Sequence, residues 1–252
     1  VAVIVTRIRR SAFPEIVAVS LSAALVAIGL TFALAPDRFQ MSFDFEFLQS
    51  AWDADSLRWV IDGCLAAHAR TGSSNDEQAA ELGSRDDVDR PRGGDHVDAS
   101  TATWVIGNHD VTRIASKVGA GGAALAVVLL MTVGGVPSVY YGDEQAFRGV
   151  KTETLGGDDE VRPALPAAPS GLAPQGAWML RLHQDLIGLR RRHPWLVHAR
   201  TEVTELDNPR LSYDAVGQEG QRLHVRLALE PTPRAEVCAP GEAPLVVEPP
   251  AQ

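Results

Sequence analysis

Three consecutive polar residues, Asn108, His109 and Asp110, follow the apolar segment 104–106, and Arg113 lies three positions further on. A short apolar run of this kind predicts a strand that is buried on both faces of a parallel sheet. In parallel α/β folds the reactive groups lie where the strands end, at their carboxyl edge. The pattern therefore predicts that one strand delivers an amide, an imidazole and a carboxylate to the same rim.

Two further predicted strands carry acidic residues. Asp44 and Glu46 lie in a strand predicted earlier in the chain, and Asp143 and Glu144 end a strand predicted later, directly after a pair of tyrosines. Carboxylates accept hydrogen bonds from hydroxyl groups, aromatic rings stack on sugar faces, and a carboxylate stabilises a developing oxocarbenium ion. The chemistry that this rim favours is therefore the binding of a polyol or sugar.

The same residue types also fit structural roles, which the sequence leaves open. An aspartate after a buried strand often caps a helix, and Asp110 could do so. His109 could be a hydrogen-bonded core residue, and Arg113 could pair with the aspartate without touching a ligand.

The elements that must position the rim alternate between strands and helices. Period-two alternation predicts the first strand, and Asp53 is the expected cap of the helix that follows it. The order implies right-handed βα units and a parallel sheet. The predicted segments are a strand at 36–48, a helix at 50–69, a strand at 100–110, a helix at 121–135 and a strand at 136–145.

The remainder of the chain predicts a small antiparallel β domain. An amphipathic helix at 177–196 stops at Pro194, and the segments 210–216 and 222–229 form a hairpin around a glycine-containing turn. The proline-rich residues 230–252 are expected to be a frayed tail.

Composition excludes some classes of partner. The formal net charge of -9 argues against nucleic acid, whose phosphates require clustered lysine and arginine. Cys64 and Cys238 are far apart and no His, Cys or acidic spacing matches a metal site, so we expect two free thiols and no metal or other cofactor. The segment 71–98 is acidic and poor in large apolar residues, which predicts a flexible loop.

The N-terminal residues raise the question of localisation. Basic residues at 7–10 precede the uncharged segment 16–35, which is long enough to span a bilayer and also resembles an export signal. Its serines, glycine and threonine dilute the hydrophobicity, so we favour a core segment in a cytoplasmic protein and keep a membrane anchor or an exported chain, through residues 7–35, as the alternative.

Five motifs together resemble the α-amylase family, glycoside hydrolase family 13, in its α-glucosidase-like bacterial branch. They are "NHDVTR" after an apolar strand, "GVPSVYYGDEQ" beyond the next helix, "FDFEFL" upstream, and "DEVRPALP" and "LIGLRRRHPWL" downstream. The resemblance covers roughly residues 36–69 and 101–229, and the pairing of the first two motifs is its most specific part.

The resemblance implies a (β/α)8 TIM-type barrel followed by a small antiparallel β domain, with an α-glucoside or α-glucan as substrate. Asp110 matches the carboxylate that binds sugar hydroxyls and stabilises the transition state, and His109 matches the histidine beside it. Arg113 resembles an arginine that holds this sugar or the aspartate. Asn108 and Glu144 match supporting positions.

The family's nucleophile and acid/base lie upstream of "FDFEFL". The only acidic residues in 1–43 are Glu15 and Asp37, and neither lies in a matching motif. We therefore expect an incomplete barrel that is inactive by itself. The alternatives are a non-catalytic sugar-binding or membrane-tethered protein, or a gene remnant. The expected division is an N-terminal segment 1–35, a partial barrel 36–177, a linker helix and β domain 178–229, and the tail 230–252.

Overall fold

The computed structural model describes residues 41–44, 50–63 and 101–250. Contacts divide the chain into two compact units, and every described residue except Met41 and Ser42 belongs to the second, which comprises 43–70 and 101–252. The predictions for the segments 16–35 and 71–98, and for Cys64, lie outside the described residues. Within the described part of the chain, no helix is long and apolar enough to cross a membrane.

The rim lies at the end of a three-stranded sheet, whose strands are hydrogen-bonded in the order β1-β2-β3. Strands β2 and β3 are parallel, with Thr103 opposite Val136, so the predicted parallel pairing is confirmed. The strands are β1 (Met41–Asp44), β2 (Thr101–Val105) and β3 (Val136–Ser138), and the intervening helices are α1 (54–63), α2 (Ile114–Lys117) and α3 (Gly119–Thr132).

Helix α1 begins where the sequence places its cap. The Asp53 carboxylate accepts hydrogen bonds from the Ser56 backbone N–H and from the Ser56 hydroxyl, both at 2.8 Å. The bond from the backbone N–H occupies a donor that a helix N-terminus otherwise leaves unpaired. The inward face is buried and consists of Ala54, Leu57, Val60 and Ile61.

Strand β2 is buried on both faces, as the apolar segment 104–106 at its end predicts. Trp104 has no exposed surface, and its indole N–H donates to the Gly134 carbonyl at 2.5 Å. The next residue, Gly135, has a φ of +114°, and a side chain there would approach the Ala102 carbonyl to 2.5 Å. Gly135 must therefore lack a side chain for the chain to pass this close to β2.

Helix α3 is apolar on all sides, and each residue from Gly122 to Thr132 is buried. An entirely apolar helix needs neighbours all round. Its C-terminal carbonyls also need donors, and the Arg190 guanidinium supplies them by bonding to the carbonyls of Met131 at 3.0 Å, Val133 at 3.1 Å and Gly135. Burial lowers the pKa of Arg190 to about 10, which still leaves it charged at neutral pH.

The C-terminal part consists of one helix and one antiparallel sheet, whose strands are hydrogen-bonded in sequence order. The predicted hairpin of 210–216 and 222–229 is confirmed as β5 and β6. The elements are α4 (Ala177–Arg192), β4 (Arg200–Asp207), β5 (Arg210–Val216), β6 (Arg222–Ala228), β7 (Arg234–Cys238) and β8 (Leu245–Val247).

The expectation of a frayed tail at 230–252 is wrong, because β7 and β8 are the last two strands of this sheet. Ala235 and Val237 point inward and are almost completely buried. The prolines lie between the strands, where no ladder N–H is required, so a high proline content does not interrupt the pairing.

Helix α3 also packs against the antiparallel sheet. The hydroxyls of Thr132 and Tyr213 are 2.5 Å apart, and the Thr132 hydroxyl is also 2.7 Å from the Val128 carbonyl. Complete burial raises the pKa of Tyr213, so the phenol stays protonated and can donate. One continuous apolar cluster thus extends from β2 through α3 to the antiparallel sheet.

We expect Arg190→Ala to lower the free energy of unfolding by about 2–4 kcal/mol, because it leaves buried carbonyls at the end of α3 without donors. Arg191→Ala is the matched control, since Arg191 is exposed on the same helix. Urea titration of both variants measures the difference, and equal midpoints would contradict the capping role of Arg190.

Candidate functional site

The turn after β2 presents the polar triplet. The Asn108 side-chain oxygen accepts a hydrogen bond from the Asp110 backbone N–H at 2.8 Å, which closes a tight local turn. The His109 and Asp110 side chains project from it and are 62% and 56% exposed. The amide of Asn108 therefore shapes the turn, while the imidazole and the carboxylate are accessible to a ligand.

Both carboxylate oxygens of Asp110 have cationic or imidazole partners. Oδ2 lies 3.2 Å from Nε2 of His109, and Oδ1 lies 2.8 Å from Nη2 of Arg162. Arg162 also donates through Nε to the His109 carbonyl at 2.9 Å and through Nη2 to Asp158 at 2.8 Å. Lys151 continues the row with a 2.6 Å contact to Asp158, and this hydrogen bond is the main reason that the pKa of Asp158 is lowered.

The segment that carries Arg162 is tied to the rim along its length. The Arg113 backbone N–H donates to the Gly149 carbonyl at 3.0 Å, and the Lys151 backbone N–H donates to the Thr112 hydroxyl at 3.1 Å. At the other end the Tyr141 hydroxyl donates to the Pro163 carbonyl at 2.9 Å. These bonds hold Arg162 against Asp110.

Arg162 was not predicted from the sequence as a site residue. It lies in a Gly- and Pro-rich stretch 52 positions after Asp110. The motif "DEVRPALP" contains it, and that resemblance was the one available signal. No periodicity or spacing rule brings the two residues together, because the intervening chain has no regular pattern.

The structure places Arg113 behind the rim. Its side chain has no exposed surface, and Nη1 lies 3.0 Å from Oδ1 of Asp143 and 2.5 Å from the Tyr141 carbonyl. The guanidinium carbon lies 4.2 Å from the centre of the Tyr140 ring, a cation–π arrangement. Arg113 therefore pairs with Asp143 instead of Asp110, and a role in sugar binding stays a prediction for which a buried guanidinium gives no support.

Asp143 lies between Arg113 and the strand that carries the triplet. Burial raises the pKa of Asp143 to about 6, although the charge of Arg113 acts in the opposite direction. A β-carbon at Gly107 would lie 2.6 Å from Oδ2 of Asp143. The residue before the triplet must therefore lack a side chain for this carboxyl group to fit.

Glu144 supports a neighbouring turn and has no described contact with the triplet. Its Oε2 accepts a hydrogen bond from the Gly142 N–H at 2.7 Å, and Gly142 has a φ of +87°.

Among the described residues, no group of three His, Cys, Asp or Glu side chains could hold a metal ion. The exposed groups at the rim that can form hydrogen bonds are the Asp110 carboxylate, the His109 imidazole and the Arg162 guanidinium.

Part of the chain matches the model of a known family. Residues 90–199 match the family model "Alpha amylase, catalytic domain". Maltase A2 of Drosophila melanogaster is 39% identical over 62 residues, which are 25% of this chain and 11% of the relative. The salivary alpha-glucosidase of Anopheles gambiae is 40% identical over 63 residues, which are 25% of this chain and 10% of the relative. The matches thus span about a tenth of the length of these relatives.

Solved structures share the fold at lower identity. The cyclic α-maltosyl-(1→6)-maltose hydrolase of Arthrobacter globiformis has a TM-score of 0.55 at 18% identity, over 86% of this chain and 47% of that protein. AmyP in complex with maltose has a TM-score of 0.53 at 13% identity, over 84% of this chain and 48% of that protein. Residues 90–199 are therefore similar to the catalytic domain of the α-amylase family of glycoside hydrolases, and the solved structures share the fold.

We expect Gly107→Ala to destabilise the protein by about 1–3 kcal/mol, because the added methyl group meets the buried Asp143 carboxyl group. The matched control is Gly188→Ala in α4, where the nearest atom to an added β-carbon is 3.5 Å away. This second change should stabilise the helix by about 0.5–1 kcal/mol. Thermal unfolding of both variants tests whether Gly107→Ala lowers the stability and Gly188→Ala raises it. A Gly107→Ala protein as stable as the wild type would contradict the close packing of Gly107 against Asp143.

Asp143 should make stability depend on pH. Its folded-state pKa of about 6 lies above the ordinary value of 3.8, so the folded state retains the proton where the unfolded state has lost it. The contribution of Asp143 to stability is therefore complete below the lower value and is lost as the pH rises through the higher one. Relative to Asp143→Asn, which has no titrating group there, the wild type should lose on the order of 2–3 kcal/mol between these values. Urea unfolding of the wild type and Asp143→Asn at a series of pH values tests this. The prediction would be overturned if the stability of the wild type relative to Asp143→Asn stayed constant or increased as the pH rises.

Proposed function

We propose that this chain carries part of the sugar-binding rim of a glycoside hydrolase that acts on α-glucosidic bonds. The observation that supports the proposal is the exposed Asp110–His109 pair at the end of β2, within the region that matches the catalytic domain. The matched relatives named maltase and alpha-glucosidase favour an α-glucoside or a short α-glucan as the ligand.

In this proposal Asp110 stabilises positive charge on the sugar ring. An oxocarbenium-like transition state gains positive charge at the reacting carbon, and a fixed carboxylate nearby lowers its free energy. The contacts of Asp110 with Arg162 and His109 fix its orientation before a ligand arrives. The imidazole of His109 and the outer edge of Asp110 then supply hydrogen bonds to sugar hydroxyls.

We further propose that the nucleophile and the acid/base are not among the described residues, so the described part of the chain does not hydrolyse a glucoside by itself. Retaining hydrolysis requires two carboxylates about 5 Å apart with separate roles. Asp110 cannot serve as nucleophile and proton donor together, and Asp143 and Glu144 are engaged in internal contacts.

We expect maltose to bind the chain with measurable heat and His109→Ala to weaken that binding about tenfold, since one hydrogen-bonding group to the sugar is lost. His198→Ala is the matched control, because His198 is also exposed but lies in the turn before β4. Titration calorimetry measures both, and equal affinities for the two variants would argue against the rim as the sugar site.

A turnover assay tests the second part of the proposal. The wild-type chain should release no nitrophenol from a nitrophenyl α-glucoside, because the two reacting carboxylates are supplied from elsewhere. Turnover that disappears in Asp110→Asn would show that this chain is catalytically complete and would refute this part of the proposal.

A further inference from the structure

The outward face of α1 carries an unusually exposed aromatic ring. Trp59 is 72% exposed, whereas Leu57 and Ile61, on the opposite face of the same helix, are buried in the core. The helix is therefore fixed from behind, and Trp59 is not needed to hold it. An indole in this position has its apolar surface in water, which is unfavourable unless something covers it.

Among the described residues, the neighbours of Trp59 on this face are polar or lack a side chain. Arg58 and Asp62 form an ion pair at 3.1 Å, with 48% and 46% of their side chains exposed. Asp55 is also exposed, one turn before Trp59. Gly63, one turn after it, has open space where a β-carbon would be. Together these five residues line a shallow depression of about 630 Å³.

The chemistry of this face distinguishes between possible occupants. The centre of a protein–protein interface is depleted in charged residues, but here three charged side chains surround a single ring. A sugar ring has an apolar C–H face that stacks on an indole and hydroxyl groups at its edge that hydrogen-bond to carboxylates and a guanidinium. The depression also falls in the size range of small-ligand sites.

We propose that this face of α1 is an accessory binding surface for an α-glucan chain, with Trp59 as the stacking platform and Asp55, Arg58 and Asp62 as hydrogen-bonding partners at its rim. The surface shares no residue with the Asp110 site. The choice of an α-glucan rests on the proposed function, whereas the assignment of a sugar rests on the residues of this face.

The test is titration calorimetry with maltoheptaose on the full chain. We expect Trp59→Ala to weaken binding at one class of sites about tenfold or to abolish it, as expected for loss of a tryptophan anchor. Trp59→Phe should retain part of the affinity because it keeps a ring. Leu155→Ala is the matched control, since Leu155 is the most exposed large apolar residue elsewhere in the described chain and should have no effect.

Asp110→Asn separates this proposal from the previous one. Weakening in Trp59→Ala alone would support the accessory surface and count against the Asp110 site, and weakening in Asp110→Asn alone would do the reverse. Unchanged affinity in Trp59→Ala would overturn the accessory surface. If sedimentation showed a dimer that Trp59→Ala dissociates, the occupant would be a second copy of the chain, and the proposal would also be overturned.

Discussion

A fully buried ion pair between Arg113 and Asp143 connects the end of β2 to the turn after β3. Two guanidinium nitrogens of Arg113 and Oδ2 of Asp143 are buried without a hydrogen-bond partner. A buried pair is expensive to desolvate, and removing one partner would leave an uncompensated charge in the core. The ring of Tyr140 offsets part of this cost through its electron-rich face. The positions of both loops at the rim depend on this contact.

The exposed groups of the rim are arranged on top of that buried pair. The backbone N–H of Arg113 donates to the Gly149 carbonyl, and its guanidinium donates to the Tyr141 carbonyl. Those two contacts bring in the segment that carries Arg162, which then meets Asp110. The buried Arg113 thus determines where the more exposed Arg162 is placed, and the two arginines pair with different aspartates, Asp143 and Asp110.

The features that the sequence predicted correctly are those that short-range rules govern. The cap at Asp53, the buried character of β2 and the β5–β6 hairpin each follow from residue types within a few positions. The accessibility of the triplet also follows, because a buried strand must end where its polar residues begin.

The features that were missed depend on contacts between distant segments. The partner of Arg113 proved to be Asp143, 30 positions away, and the partner of Asp110 proved to be Arg162, 52 positions away. Proline content suggested a frayed end at 230–252, but backbone pairing with β6 decides the structure there. Local composition does not record which strand edge is available, so neither β7 nor β8 could be predicted from it.

The contacts of α3 have a consequence for how the described part of the chain unfolds. Arg190 of α4 bonds to the carbonyls where α3 ends, and Thr132 of α3 contacts Tyr213 of the antiparallel sheet. Neither sheet can lose its structure without exposing the same apolar helix to water. We therefore expect the parallel strands and the C-terminal sheet to unfold in a single transition, because the C-terminal sheet forms one wall of the shared core.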